Sequence, residues 1–190
     1  MKPVSKTASF SHCPLRCIAG GGLVFLRVSL VHRLNLAITP PPGYSPINGR
    51  GVAVKTSCRH YNGEQWIPCG FPSNEQLSAV LCALDGYVYI GGEGSSLWRG
   101  REFQWEKLYH GGSTLLLNQL RWFEDKVWAC DDYRLQCWDG NEMVRPMDGD
   151  ETVLLSGHMD VRDGILVVAG DYSVDLYDGT AWHKIVRPYS

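Results

Sequence analysis

His158, Asp160 and Asp163 bring an imidazole and two carboxylates into one short stretch, the residue types that general acid–base catalysis requires. No serine or cysteine in a nucleophile context accompanies them, so His158 reads as a strand-end histidine. His12-Cys13 with Cys17 has metal-ligand types, but a zinc site needs four ligands and no second pair follows at workable spacing. Gly91-Gly92-Glu93-Gly94-Ser95-Ser96 has the glycine content of a phosphate cradle, yet it leads into a strand, whereas a cradle needs a helix N-terminus behind it. Asp148-Gly149-Asp150-Glu151 offers hard oxygen donors in a run too short for a calcium loop of the EF-hand type. No catalytic residue, metal site or cofactor is expected.

The seven cysteines are Cys13, Cys17, Cys58, Cys69, Cys82, Cys130 and Cys137. An odd number without a Cys-x-x-Cys pair argues against a disulfide framework and for small buried hydrophobes in a reducing compartment, hence a cytoplasmic location. Cys130 and Cys137 fall across one hairpin, where they could approach each other.

The elements that must position these residues recur at a fixed interval. An aromatic residue followed two positions later by glycine appears in Tyr61-Asn62-Gly63, Trp98-Arg99-Gly100, Trp138-Asp139-Gly140 and Tyr177-Asp178-Gly179, and tryptophans follow at 66, 105 and 182. An interval of about 40 residues marks a repeat architecture with one supersecondary unit per period. Ahead of each motif lies a short run rich in β-branched or aromatic residues, at Gly51 to Lys55, Tyr87 to Ile90, Lys126 to Cys130 and Ile165 to Ala169. Before three of these runs another apolar stretch ends in an acidic turn such as Asp85-Gly86, Glu124-Asp125 or Asp163-Gly164. Each unit therefore reads as four antiparallel strands, a to d. In the third unit these run from about Leu115 to Phe123, Lys126 to Cys130, Arg134 to Trp138 and Asn141 to Arg145. A four-stranded unit of this length is a propeller blade, which is apolar on both faces and must stack on its neighbours.

Val88-Tyr89-Ile90-Gly91-Gly92 with Leu97-Trp98-Arg99-Gly100 resembles kelch-type and regulator-type propeller blades, and Trp138-Asp139 with Gly157-His158 resembles WD40 signatures superficially. The resemblance covers about residues 51 to 188. It implies an all-β, β-propeller-like array of four-stranded antiparallel blades, three complete (roughly 77 to 108, 115 to 146 and 153 to 187) and a first one, near 51 to 69, without a good inner strand. Such an array is an incomplete propeller. Asp178-Gly179-Thr180-Ala181-Trp182 is similar to the aspartate box of glycosidase propellers but lacks its leading spacing. The fold itself names no activity.

Charge divides the chain. Residues 1–63 carry eight bases and no acid, and residues 64–190 carry twenty acids against ten bases. Residues 1–50 read as an irregular basic leader ahead of a repeat domain at 51–190, with Pro40 to Pro46 where an inner strand would fall. A targeting segment, a flexible arm and a truncated or non-native start are all compatible with it. No stretch reaches the length of uncharged apolar residues that a membrane span needs.

Strands that alternate in direction bring the b–c turns and the links between blades out on one face. That face carries Glu75, Glu93, Asp131, Asp132, Asp148, Asp150, Glu151 and Asp171, with Phe71, Tyr109, Tyr133 and Tyr172 as its aromatics and Arg134 as the main base. Acids steer a cationic protein and tyrosine supplies rigid contact area, so Glu93, Tyr109, Asp131, Asp132, Tyr133, Asp148, Asp150, Asp171 and Tyr172 are the candidate partner-binding residues. The same charge disfavours nucleic acid. The function expected is a non-enzymatic protein-binding module, by analogy a bacterial toxin-neutralising or sensor protein. The rival readings are a fragment of a propeller lyase or glycosidase and a purely structural assembly unit. Open sheet edges add an expectation of self-association.

Overall fold

The computed structural model describes residues 18–20, 23–27, 35–39, 57–61, 65–101 and 104–186. The first sheet holds β1 (Ile18–Gly20), β2 (Leu23–Arg27), β3 (Asn35–Thr39), β4 (Ser57–Tyr61) and β5 (Trp66–Pro68). The second holds β6 (Leu77–Cys82), β7 (Val88–Gly92), β8 (Ser96–Arg101) and β9 (Gln104–Tyr109). The third holds β10 (Gln119–Phe123), β11 (Lys126–Cys130), β12 (Leu135–Trp138) and β13 (Met143–Val144). A hairpin of β14 (Met147–Asp148) and β15 (Glu151–Thr152) follows. The last sheet holds β16 (His158–Arg162), β17 (Ile165–Ala169), β18 (Val174–Tyr177) and β19 (Trp182–Val186). Every sheet is an antiparallel meander in chain order, and the array of blades inferred from the repeat is the architecture of the molecule. The first strands β6, β10 and β16 lie side by side, with β2 next to β6.

The first sheet draws β1, β2 and β3 from residues before 50. Leu-Val-Phe-Leu-Arg and Asn-Leu-Ala-Ile-Thr are strand-forming runs; β2 pairs with β3 and β3 with β4. The expected strand at Gly51 to Lys55, the His12-Cys13-Cys17 group, Pro40 to Pro46 and Gly63 lie outside the described residues.

The period of two in each b strand serves two interfaces at once. Val88 and Ile90 enter a core shared with Cys58 and Cys69 of the first sheet, while Tyr89 packs with Leu117, Leu120, Val127 and Ala129 of the third. One blade further on, Val127 and Ala129 face back to the second blade, and Trp128 and Cys130 face forward to Met159, Leu166 and Val168. Trp128 is 3% exposed and is held by Tyr177 at 5.6 Å, Phe123 at 6.1 Å and Trp182 at 6.3 Å between ring centroids. Its indole N–H donates to the Phe123 carbonyl at 3.1 Å.

The recurring glycines do two jobs. Gly140 (φ +107°) and Gly179 (φ +94°) turn the chain at c–d turns in a conformation that side chains resist. Gly100 lies inside β8 instead, where the Trp105 ring sits 2.3 Å from where a Cβ would be. The motif thus has one spelling and two structural causes.

Candidate functional site

The b–c turns of the third and fourth blades have the same construction. Each spans four residues between paired strand ends, Cys130↔Leu135 and Ala169↔Val174. Each closes on a backbone bond, from the Asp131 N–H to the Arg134 carbonyl at 3.0 Å and from the Gly170 N–H to the Ser173 carbonyl at 2.9 Å. The central two residues are therefore equivalent, and in both turns they are aspartate then tyrosine: Asp132-Tyr133 and Asp171-Tyr172. The tyrosines are 74% and 75% exposed.

Asp131 stands apart from the acids around it. Its side chain is fully buried, accepting the Tyr133 N–H at 2.8 Å and the Arg134 Nε at 2.9 Å and Nη2 at 2.8 Å. It forms the turn, and its carboxylate is not on the solvent-facing surface where the sequence placed it. The pairing also neutralises Arg134, the main base expected on this face. Asp132 accepts the Asn118 amide at 2.6 Å, which leaves its charge uncompensated, and Asp171 is exposed.

The other predicted residues divide similarly. Asp148 and Asp150 are exposed on the β14–β15 hairpin beside Glu151. Glu93 is exposed, but its loop is the short turn Glu93–Ser95, whose backbone is tied to Gln76 and Leu115 and which presents no aromatic tip. Tyr109 is half-buried against Trp138, ring centroids 6.3 Å apart, and packs in the core between the second and third blades. Glu75 is engaged by Lys107 and by the Trp98 indole at 3.2 Å. Burial works to raise its pKa, and the bonds from Lys107, Trp98 and Ser96 outweigh it and hold the carboxyl below its usual range. Two apolar members of the face were not singled out from the sequence. Met147 and Leu154 flank the acidic hairpin and are largely exposed. Their signal was available, since both stand in the link between blades rather than in a blade strand.

Gln119 Nε2 donates to His158 Nδ1 at 2.8 Å, and Gln119 Oε1 accepts the Met159 N–H at 2.6 Å. The histidine therefore takes part in joining two inner strands. Among the described residues no three His, Cys, Asp or Glu side chains are grouped to hold a metal ion, and no helix is long and apolar enough to cross a membrane.

The opposite face uses aspartate differently. Asp139 Oδ1 accepts the N–H groups of Asn141 and Glu142, both at 2.8 Å. Asp178 Oδ1 accepts those of Thr180 and Ala181 at 2.8 and 2.9 Å, and its Oδ2 meets His183 at 2.9 Å. His183 first, then the Thr180 and Ala181 bonds, hold the Asp178 carboxyl well below the ordinary range; the Glu142 and Asn141 N–H groups lower Asp139. A cleft lined by Tyr87, Arg99, Arg101, Gln104, Trp105 and Glu106 lies on the second blade. Its Arg99 guanidinium sits 4.8 Å over the Tyr87 ring and pairs with Glu106 at 2.8 Å.

No family model matches the chain. Among curated proteins it is similar to the Immune protein Tsi7 of Pseudomonas aeruginosa, with 30% identity over 125 residues, 66% of this chain and 41% of that protein. The chain thus spans about two fifths of the length of the curated relative it matches. Among solved structures it is similar to the crystal structure of HIRA(644-1017), with a TM-score of 0.46 and 14% identity, over 95% of this chain and 58% of that one.

Proposed function

We propose that this chain is a non-enzymatic protein-binding module of the immunity type, which docks a basic surface of a partner protein on its acidic loop face. The observation that carries the reading is the pair of equivalent Asp-Tyr tips, Asp132-Tyr133 and Asp171-Tyr172, displayed by adjacent blades. An exposed tyrosine costs little entropy to hold in a contact, and the aspartate beside it favours a cation at the same spot. Met147 and Leu154 add apolar area, and Asp148, Asp150 and Glu151 extend the negative potential. The similarity to the Immune protein Tsi7 supports the immunity role. A repeat domain at 51–190, to whose first sheet the basic segment ahead of it adds β1 to β3, and a cytoplasmic location belong to the same proposal.

The test is differential capture. Tagged wild type and the variants Asp132→Lys/Asp171→Lys and Tyr133→Ala/Tyr172→Ala are used as bait in an extract of the source organism, and captured proteins are identified by mass spectrometry. A partner held by wild type and lost with both variants supports the reading, and its association rate falls with added salt. A partner retained by both variants refutes it.

A further inference from the structure

The c–d hairpin of the second blade departs from the repeat. Eight residues separate Trp98 from its cross-strand partner Lys107, whereas four separate Trp138 from Met143 and Tyr177 from Trp182. In the two shorter hairpins the residue after the aromatic is Asp139 or Asp178, whose Oδ1 takes the N–H groups that close the turn. The second blade has Arg99 at that step, and its strands stay paired for three more rungs, Arg99↔Glu106, Gly100↔Trp105 and Arg101↔Gln104. Closing a turn requires none of this. Cross-strand partners and every second residue of a strand share a face, so the added rungs set Arg99, Arg101, Gln104 and Glu106 on one side of the sheet.

That extension builds the second-blade cleft, whose volume of about 480 Å³ falls in the range of small-molecule sites. Both guanidiniums stand over the Tyr87 ring, Arg99 at 4.8 Å and Arg101 at 5.7 Å from its centroid. A guanidinium stacked on a ring is fixed in orientation and keeps its N–H edges free to donate. Arg99 uses Nη2 on Glu106, and Arg101 is exposed and makes no ion pair among the described residues. Two positive charges against one negative leave the cleft with a single positive charge in excess.

We infer that this cleft is a binding site for an organic carboxylate of one negative charge. The Arg101 fork takes the carboxylate through two parallel N–H bonds, the Gln104 amide offers a further donor, and the Trp105 ring gives the ligand's apolar body a wall. A phosphate dianion fits less well, because its second charge would meet the Glu106 carboxylate. The site lies on the face opposite the Asp-Tyr tips and is independent of the loop-face reading.

Benzoate titrated into the isotope-labelled chain and followed by amide and side-chain NMR tests this. Saturable shifts are expected at Arg99, Arg101, Gln104 and Trp105, with a dissociation constant of about 1 to about 10 mM for so small a probe. Benzamide, which has the same shape without the charge, and inorganic phosphate bind at least about tenfold more weakly. Arg101→Gln, at an exposed position, leaves the rest of the spectrum in place and weakens benzoate at least about tenfold, whereas Tyr133→Ala/Tyr172→Ala binds it like wild type. A short acetylated peptide ending in a free phenylalanine carboxylate tells two sources of the ligand apart: tighter binding than benzoate assigns the site to a chain terminus, and weaker binding to a free acid. Shifts that stay linear in benzoate up to about 50 mM overturn the inference. So does benzamide or phosphate binding as tightly as benzoate, or Arg101→Gln binding benzoate undiminished.

Discussion

Replacing Trp128 with alanine removes the side chain that most firmly joins the third and fourth blades. A fully buried indole takes about 250 Å² from solvent, or about 6 kcal/mol at about 25 cal/mol per Å², an upper bound because the unfolded chain already hides part of that area. Partial collapse of Phe123, Tyr177 and Trp182 into the vacated space brings the expectation to the 3–5 kcal/mol range typical of large-to-small core changes, about 4 kcal/mol. About 1 kcal/mol of that is the Phe123 carbonyl left without the indole N–H. Urea unfolding followed by circular dichroism reads it out, and with a slope of about 2 kcal/mol per M the midpoint falls by about 2 M. Trp182→Phe is the companion measurement. The Trp182 indole N–H is buried with no acceptor among the described residues, so its removal costs less than about 1 kcal/mol. A Trp128→Ala loss below about 1 kcal/mol would refute the assignment of alternate b-strand residues to the two neighbouring blades.

Gly157→Ala should lower stability by more than about 2 kcal/mol in the same assay, because its φ is +132° and the new Cβ would lie 2.3 Å from the Ala169 carbonyl oxygen. Asp131→Ala should cost about 2–3 kcal/mol by breaking a buried pair and its turn, whereas Asp171→Ala should stay within about 0.5 kcal/mol by thermal melting. The lowered carboxyls of Asp139 and Asp178 contribute stability above the ordinary carboxylate range and lose it as pH falls from that range down through their lowered native values. The melting temperature should therefore begin to drop below about pH 5 and keep dropping below about pH 3, less steeply in Asp178→Asn. Burial pushes the Cys130 thiol up to about 12, so native-state alkylation near pH 8 should spare Cys130 until the protein is unfolded.

The second to fourth blades were legible because β propensity and turn chemistry agree in them: Lys126 to Cys130 and Ile165 to Ala169 are the b strands to the residue. The strands β2 and β3 were less so, because their apolar runs stand among basic and proline-rich residues that suggested a leader. At the loop face, exposure could be assigned by turn position for Tyr133 and Tyr172. The burial of Asp131 could not, since a turn aspartate that faces solvent and one that folds back onto its own turn have the same local sequence. Tyr109 was misplaced for a related reason. A residue at the end of a d strand lies on the loop face, but its ring follows the pleat into the core.

Among the described residues the cores lie between blades that are neighbours along the chain, and the two Asp-Tyr tips sit on blades of unequal standing. Among the described residues, Tyr133 belongs to a blade packed on both sides and Tyr172 to one packed on a single side. In a repeat array the blade with less packing around it opens more readily, so the Tyr172 half of the loop face exists only as often as the fourth blade is closed. A partner that grips both tips draws its affinity partly from that closure. It spans the joint between the two blades as a splint does, and its arrival is felt as slowed amide exchange in β19, on the far edge of a sheet it touches only at the b–c turn.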